Sequence, residues 1–158
     1  MMQYRMKTHP LTEDQITHLL ERTQTCNLAT LNPDGTPYCT PIHFIYWGGA
    51  IYFHGLPIGQ KLGNIARDSR VGISAYEMEG LLLDPGEKPC DTNTKYESVI
   101  ISGIAKRLED QNEKRNVLTK IVEKYTPHLA NKELPDNMVK GTAVIRVDLA
   151  EITGKYYA

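Results

Sequence analysis

Several things are scarce in this sequence, and each shortage removes a class of protein. Three cysteines occur in 158 residues, Cys26, Cys39 and Cys90; they make no close pair and no zinc-like spacing, and an odd number argues against a disulfide framework. Net charge is almost absent, with 18 Lys and Arg against 19 Asp and Glu. Nothing therefore draws the whole chain toward nucleic acid or an anionic membrane, and recognition has to come from a local site. There is no long uncharged apolar run, and MMQYRMKTHP lacks the apolar centre of a secretory leader, so a cytoplasmic protein without membrane spans is expected. Neither G-x-G-x-x-G nor Gly-Lys-Ser/Thr occurs, which removes the doubly wound dinucleotide signature and the P-loop. No composition break divides the chain, so residues 1–158 are expected to form one domain with one substantial core.

The most informative stretch is CNLATLNPDGTPYCTPIHFIYWGGAIYFHGLPIGQKLGNI, residues 26–65. It reads as strand 26–31, a reversal at Asn32-Pro33-Asp34-Gly35, strand 37–46, a tight turn at Gly48-Gly49, and strand 50–55. A two-residue hairpin loop pairs Trp47 with Ala50, Ile45 with Tyr52 and His43 with His54. One face then carries Ile42, Phe44, Tyr46, Ile51 and Phe53 as core. The other carries the two histidines with Ile45, Trp47 and Tyr52, and two readings stand for it: an ordinary solvated face, or a face met by a ligand or a partner subunit.

After the third strand come Gly55, Pro57 and Gly59, then a short helix with Lys61 and Asn64 on neighbouring positions of one face. Free backbone N–H groups and the helix dipole favour an anion there, and Lys61 adds a full charge. The segment reads as a phosphate site.

Thr12 and Gln15 have capping-box spacing, and Leu11 with Ile16 fits a hydrophobic staple, so a helix spans 12–23. A strand at 71–76, a long connection at 77–94 of the kind that serves a site or an interface, and a strand at 96–108 follow. Asp110 caps a helix running to Tyr125, with Val117, Leu118, Ile121, Val122 and Tyr125 inward. Residues 127–141 read as a loop and 142–152 as the last strand. Hairpins come first and no strand-helix alternation is present, so the fold class is mostly β with α: six antiparallel strands forming a small barrel, with about three helices outside. Small buried thiols are expected for Cys26 and Cys39 within strands; Cys90 lies in a polar loop.

The string DGTPYCTPIHFIYWGGAIYFHGLPIGQKLGNIARDSRV, with Pro89-Cys90, Tyr96-x-Ser98-Val99, Gly103 and IRVDLAEITGK, resembles the FMN-binding split barrels related to pyridoxamine 5'-phosphate oxidase, in their nitroimidazole-resistance branch. The resemblance covers residues 26–155. It implies a homodimer with FMN where two barrels meet. It implies phosphate contacts from Lys61 and Asn64, and ring contacts from Thr40, Pro41, Ile42, Tyr52 and His54, with Tyr96 and Ser98 reaching in from the fifth strand. It also implies an oxidoreductase of small nitro-heterocycles such as 5-nitroimidazoles, drawing electrons from a transient nicotinamide or another protein. A non-enzymatic flavin carrier or sensor is the alternative. His54 is the candidate catalytic residue, as proton donor or as a group that only places the flavin. No metal is expected, because His43 and His54 have no third ligand near them in sequence.

Overall fold

The structure, a computed structural model, describes residues 4–158; the expectation for the N-terminal decapeptide rests partly on residues 1–3, outside that range. In chain order the elements are α1 (Tyr4–Thr8), α2 (Glu13–Arg22), β1 (Thr25–Leu31), β2 (Pro37–His43), β3 (Ile45–Trp47), β4 (Ala50–Gly55) and α3 (Gln60–Arg67). There follow β5 (Arg70–Leu82), β6 (Asn93–Arg107), α4 (Gln111–Tyr125), α5 (Asp136–Gly141) and β7 (Ala143–Tyr157), with 3-10 turns at Pro89–Asp91 and Pro127–Leu129.

All pairings are antiparallel, and the seven strands run in the order β2-β1-β5-β6-β7-β4-β3. The two end strands of that order, β2 and β3, are consecutive in the chain with only Phe44 between them. The sheet therefore curls back on itself without closing its ladder, as a split barrel does. The expected strand 37–46 is this β2–β3 pair, and its break at Phe44 has a physical cause. The Phe44 N–H donates to the Tyr125 hydroxyl at 2.9 Å, and the Phe44 carbonyl accepts from Lys124 Nζ at 3.1 Å. Groups that a neighbouring strand would have used are taken by α4 instead.

The hairpin register holds as read, Ile45 opposite Tyr52 and Trp47 opposite Ala50, through Gly48 and Gly49 with φ of 57° and 77°. Both values are positive, which glycine tolerates at no steric cost. His43 lies outside the β3–β4 ladder, so its expected pairing with His54 is not formed. At α2 the capping box forms in full: Thr12 Oγ1 accepts from the Gln15 N–H, and Gln15 Oε1 accepts from the Thr12 N–H.

Further expectations change. Residues 77–82 are strand rather than loop, paired with β6 through a bulge between Met78 and Gly80 and a Lys95–Glu79 ion pair at 2.7 Å. The last strand runs on to Tyr157, and the 127–141 segment contains α5. Cys39 is exposed, because it points to the outside of β2; Cys26 is buried. Among the described residues the strands number seven, not six, because the expected strand 37–46 is two, and the helices five, not about three.

Two apolar clusters hold the molecule together. The larger fills the barrel, with Leu28, Phe44, Ile51, Phe53, Ile73, Val99, Ile101, Ile145 and Val147, and α2 adds Leu19 and Leu20. The second lies outside the barrel, where Val117 and Ile121 of α4 cover Ile45, Tyr52, Leu108 and Val144. No helix among the described residues is long and apolar enough to cross a membrane.

Candidate functional site

The end of the barrel where the sequence suggests a phosphate site is built by β4 running into α3. The helix begins after Gly59, whose φ of 153° suits glycine, and no side chain caps its first turn. Its N–H groups are left for water or a ligand. Lys61 stands in that turn, its Nζ 5.6 Å from the centre of the Phe53 ring. Tyr38, Thr40, Leu56, Ile58, Gly59, Gln60, Lys61 and Leu62 line a cleft of about 250 Å³ beside it. Within this group the Thr40 Oγ1 is buried and has no hydrogen-bond partner. Such an orphaned hydroxyl is costly unless something satisfies it. A cation, an uncapped helix start and a waiting hydroxyl under an apolar lip fit a ligand that carries phosphate on an apolar body.

His54 is exposed at the outer rim of the same end. Its pKa is lowered from the ordinary 6.5, first by desolvation of the ring and then by His43 and Lys61 nearby. His43 in turn packs edge-on against Tyr125, with centroids 5.1 Å apart.

Other expected ligands are placed differently. Asn64 is 2% exposed, and its Nδ2 donates at 3.1 Å to Thr30 Oγ1 and to Asn32 Oδ1. That amide fastens α3 to β1 and is not turned to a phosphate; buried amides must find partners, and the strand supplies them. Tyr52 is 6% exposed beneath α4, so the expected ring contact is replaced by helix packing. Ile42 lies in the barrel core, while Pro41 is on the exposed side of β2.

Tyr96 and Ser98 lie on the other side of the sheet from Thr40, as the register shows. Thr40 pairs with Leu28, Leu28 with Ile73 and Ile73 with Ile101, all facing inward. Ser98 is three residues from Ile101 and so faces outward. Tyr96 stacks on Tyr76 with centroids 5.6 Å apart, and the Ser98 Oγ is a second buried hydroxyl without a partner. The partnerless hydroxyls of Thr40 and Ser98 thus lie on opposite faces of the sheet. The sequence reading missed Tyr38, Leu56, Ile58 and Gln60. Two bulky apolar residues in a glycine-bounded loop just before a helix were the available signal.

A model of the family described as pyridoxamine 5'-phosphate oxidase matches residues 12–156. The chain belongs to that family. A crystal structure of a candidate 5-nitroimidazole antibiotic resistance protein from Bacteroides thetaiotaomicron VPI-5482 is similar over 92% of this chain and 85% of its own, at 26% identity and a TM-score of 0.75. The flavocytochrome Anf3 from Azotobacter vinelandii aligns with 93% of this chain and 68% of its own, at 19% identity and a TM-score of 0.81. An FAD and heme binding protein from Mycobacterium smegmatis aligns with 92% and 71%, at 17% identity and a TM-score of 0.82. At such identities the last two speak for the fold alone. No curated protein matches the chain. Membership of the pyridoxamine 5'-phosphate oxidase family accounts for the open antiparallel barrel.

Proposed function

We infer that this protein binds a flavin, FMN, and acts as an oxidoreductase of small nitro-heterocycles such as 5-nitroimidazoles. The observation that carries the cofactor is the uncapped first turn of α3 with Lys61, beside the partnerless Thr40 hydroxyl. Family membership and the Bacteroides protein support the activity. A bound flavin supplies two-electron redox chemistry; the chain's residues hold and orient it. Lys61 and the α3 N–H groups would take the phosphate, and Thr40 with the backbone of Pro41 and Ile42 would hold the ring system. Desolvation, then His43 and Lys61, disfavour the protonated form of His54, which suits a hydrogen-bonding group at the rim.

Tyr96 and Ser98 face away from Thr40 in the same chain, so a second copy supplies them, and the working unit is a cytoplasmic homodimer with the flavin between subunits. The carrier reading draws on the lowered pKa of His54, which disfavours the imidazolium that would act as general acid.

Titration with FMN and riboflavin tests the site. Lys61→Ala is expected to weaken FMN by roughly 1.5–3 kcal/mol, the range for a hydrogen bond to a charged group, and to leave riboflavin unchanged. Equal wild-type affinity for the two flavins removes the phosphate site. Reduced protein that reoxidises with a nitroimidazole no faster than free reduced FMN removes the reductase and leaves the carrier.

A further inference from the structure

The loop between β4 and α3 is held in an unusual way. Leu56 and Ile58 are 80% and 82% exposed, so burial of their side chains contributes almost nothing to its position. Glycines bound it at Gly55 and Gly59. At its middle, however, the Pro57 carbonyl accepts a hydrogen bond of 3.2 Å from Arg107 Nη1. Arg107 is the last residue of β6 and stands opposite Ile145, which stands opposite Phe53. That row runs across the same barrel end, under the Lys61 ammonium. Glu109 Oε1 lies 3.6 Å from Arg107 Nε.

We propose that Arg107 is a positioning residue of the phosphate site: by holding the Pro57 carbonyl it fixes the 56–59 loop, and so aims Lys61 and the first turn of α3. The proposal rests on the flavin reading above. A loop without buried side chains samples many conformations, and each one that misaims the helix start lowers the fraction of protein ready to bind. A strand residue as anchor ties the loop to the most rigid part of the barrel. Arg107 is itself 43% exposed, so its removal leaves the core intact.

The experiment titrates FMN and riboflavin against wild type and Arg107→Ala, at low and at high salt. The expected result is a loss of FMN affinity on the order of tenfold in Arg107→Ala, with riboflavin affinity unchanged and the loss persisting at high salt. Persistence matters because a mere point charge near the phosphate is screened by salt, whereas a fixed loop is not. Three results overturn the proposal: no change in FMN affinity, an equal loss for both flavins, or a loss that vanishes at high salt. Wild-type protein that does not prefer FMN to riboflavin overturns the phosphate site itself, and Arg107's role with it, a failure visible before any variant is measured.

Discussion

Single residues at the barrel end owe their chemistry to their neighbours. His54 has a lowered pKa through partial desolvation and the proximity of His43 and Lys61. As pH falls below 6.5, the unfolded chain binds a proton at this position before the folded one does, so this group makes the fold less stable on acidification through that window. Its ring, followed by NMR, is expected to titrate below 6.5, and Lys61→Ala is expected to move the midpoint up by removing one cause. A midpoint at or above 6.5 in the wild type contradicts the packing described. Lys61 and His54 were both readable from the IYFHG string and the helix start after it. Asn64 was not readable in the same way: spacing places it one turn along from Lys61, but only packing shows that its amide is spent on Thr30 and Asn32.

Whole elements are set by where backbone groups find partners. The strand read as 37–46 divides because Tyr125, about eighty residues further on, supplies the Phe44 N–H with an acceptor. The Tyr125 hydroxyl also lies 2.7 Å from the Phe44 carbonyl. Tyr125→Phe is expected to cost about 1–3 kcal/mol, the penalty for leaving a buried backbone group unpaired, seen as a lower denaturant midpoint. No change there means that water replaces the hydroxyl freely. The β6–β7 pairing makes a second demand. A Cβ at Gly103 would lie 2.7 Å from the Asp148 carbonyl oxygen and 2.7 Å from Val147 Cγ1, beside the register shift between Ser102 and Gly103. Gly103→Ala is expected to destabilise by about 1–3 kcal/mol, as overpacking does, in the same measurement. Residues 77–82 show why a strand escapes a local reading. Glu77, Met78, Glu79 and Gly80 have neither alternation nor β-propensity, and they are extended because β6 lies alongside to pair with them.

For the molecule as a whole, the faces that meet solvent decide what it assembles with. The face with Ile45 and Tyr52, read as either solvated or met by a ligand or partner subunit, is instead covered by α4 of the same chain, which leaves them 3% and 6% exposed. Beyond Leu56 and Ile58 of the 56–59 loop and Trp47, exposed apolar side chains lie on the outside of β5 and β6 at Tyr76, Ile100 and Ile104, on the face that also holds Tyr96 and Ser98. Ile100→Asp is expected to convert a dimer into monomers by light scattering and to weaken flavin binding with it; an obligate interface of this kind buries above about 2,000 Å². A wild-type monomer that binds flavin tightly rules out the shared site. The sequence by itself determined the strands of the first hairpins, the capping box, the helix start with Lys61 and the mostly antiparallel class, since each depends on residues a few positions apart. Only the tertiary structure decided which side chains the helices bury, where β2 gives way to β3, and that Thr40 and Ser98 face opposite ways. Those outcomes depend on contacts between segments tens of residues apart, and no local pattern encodes which partner a buried group will find.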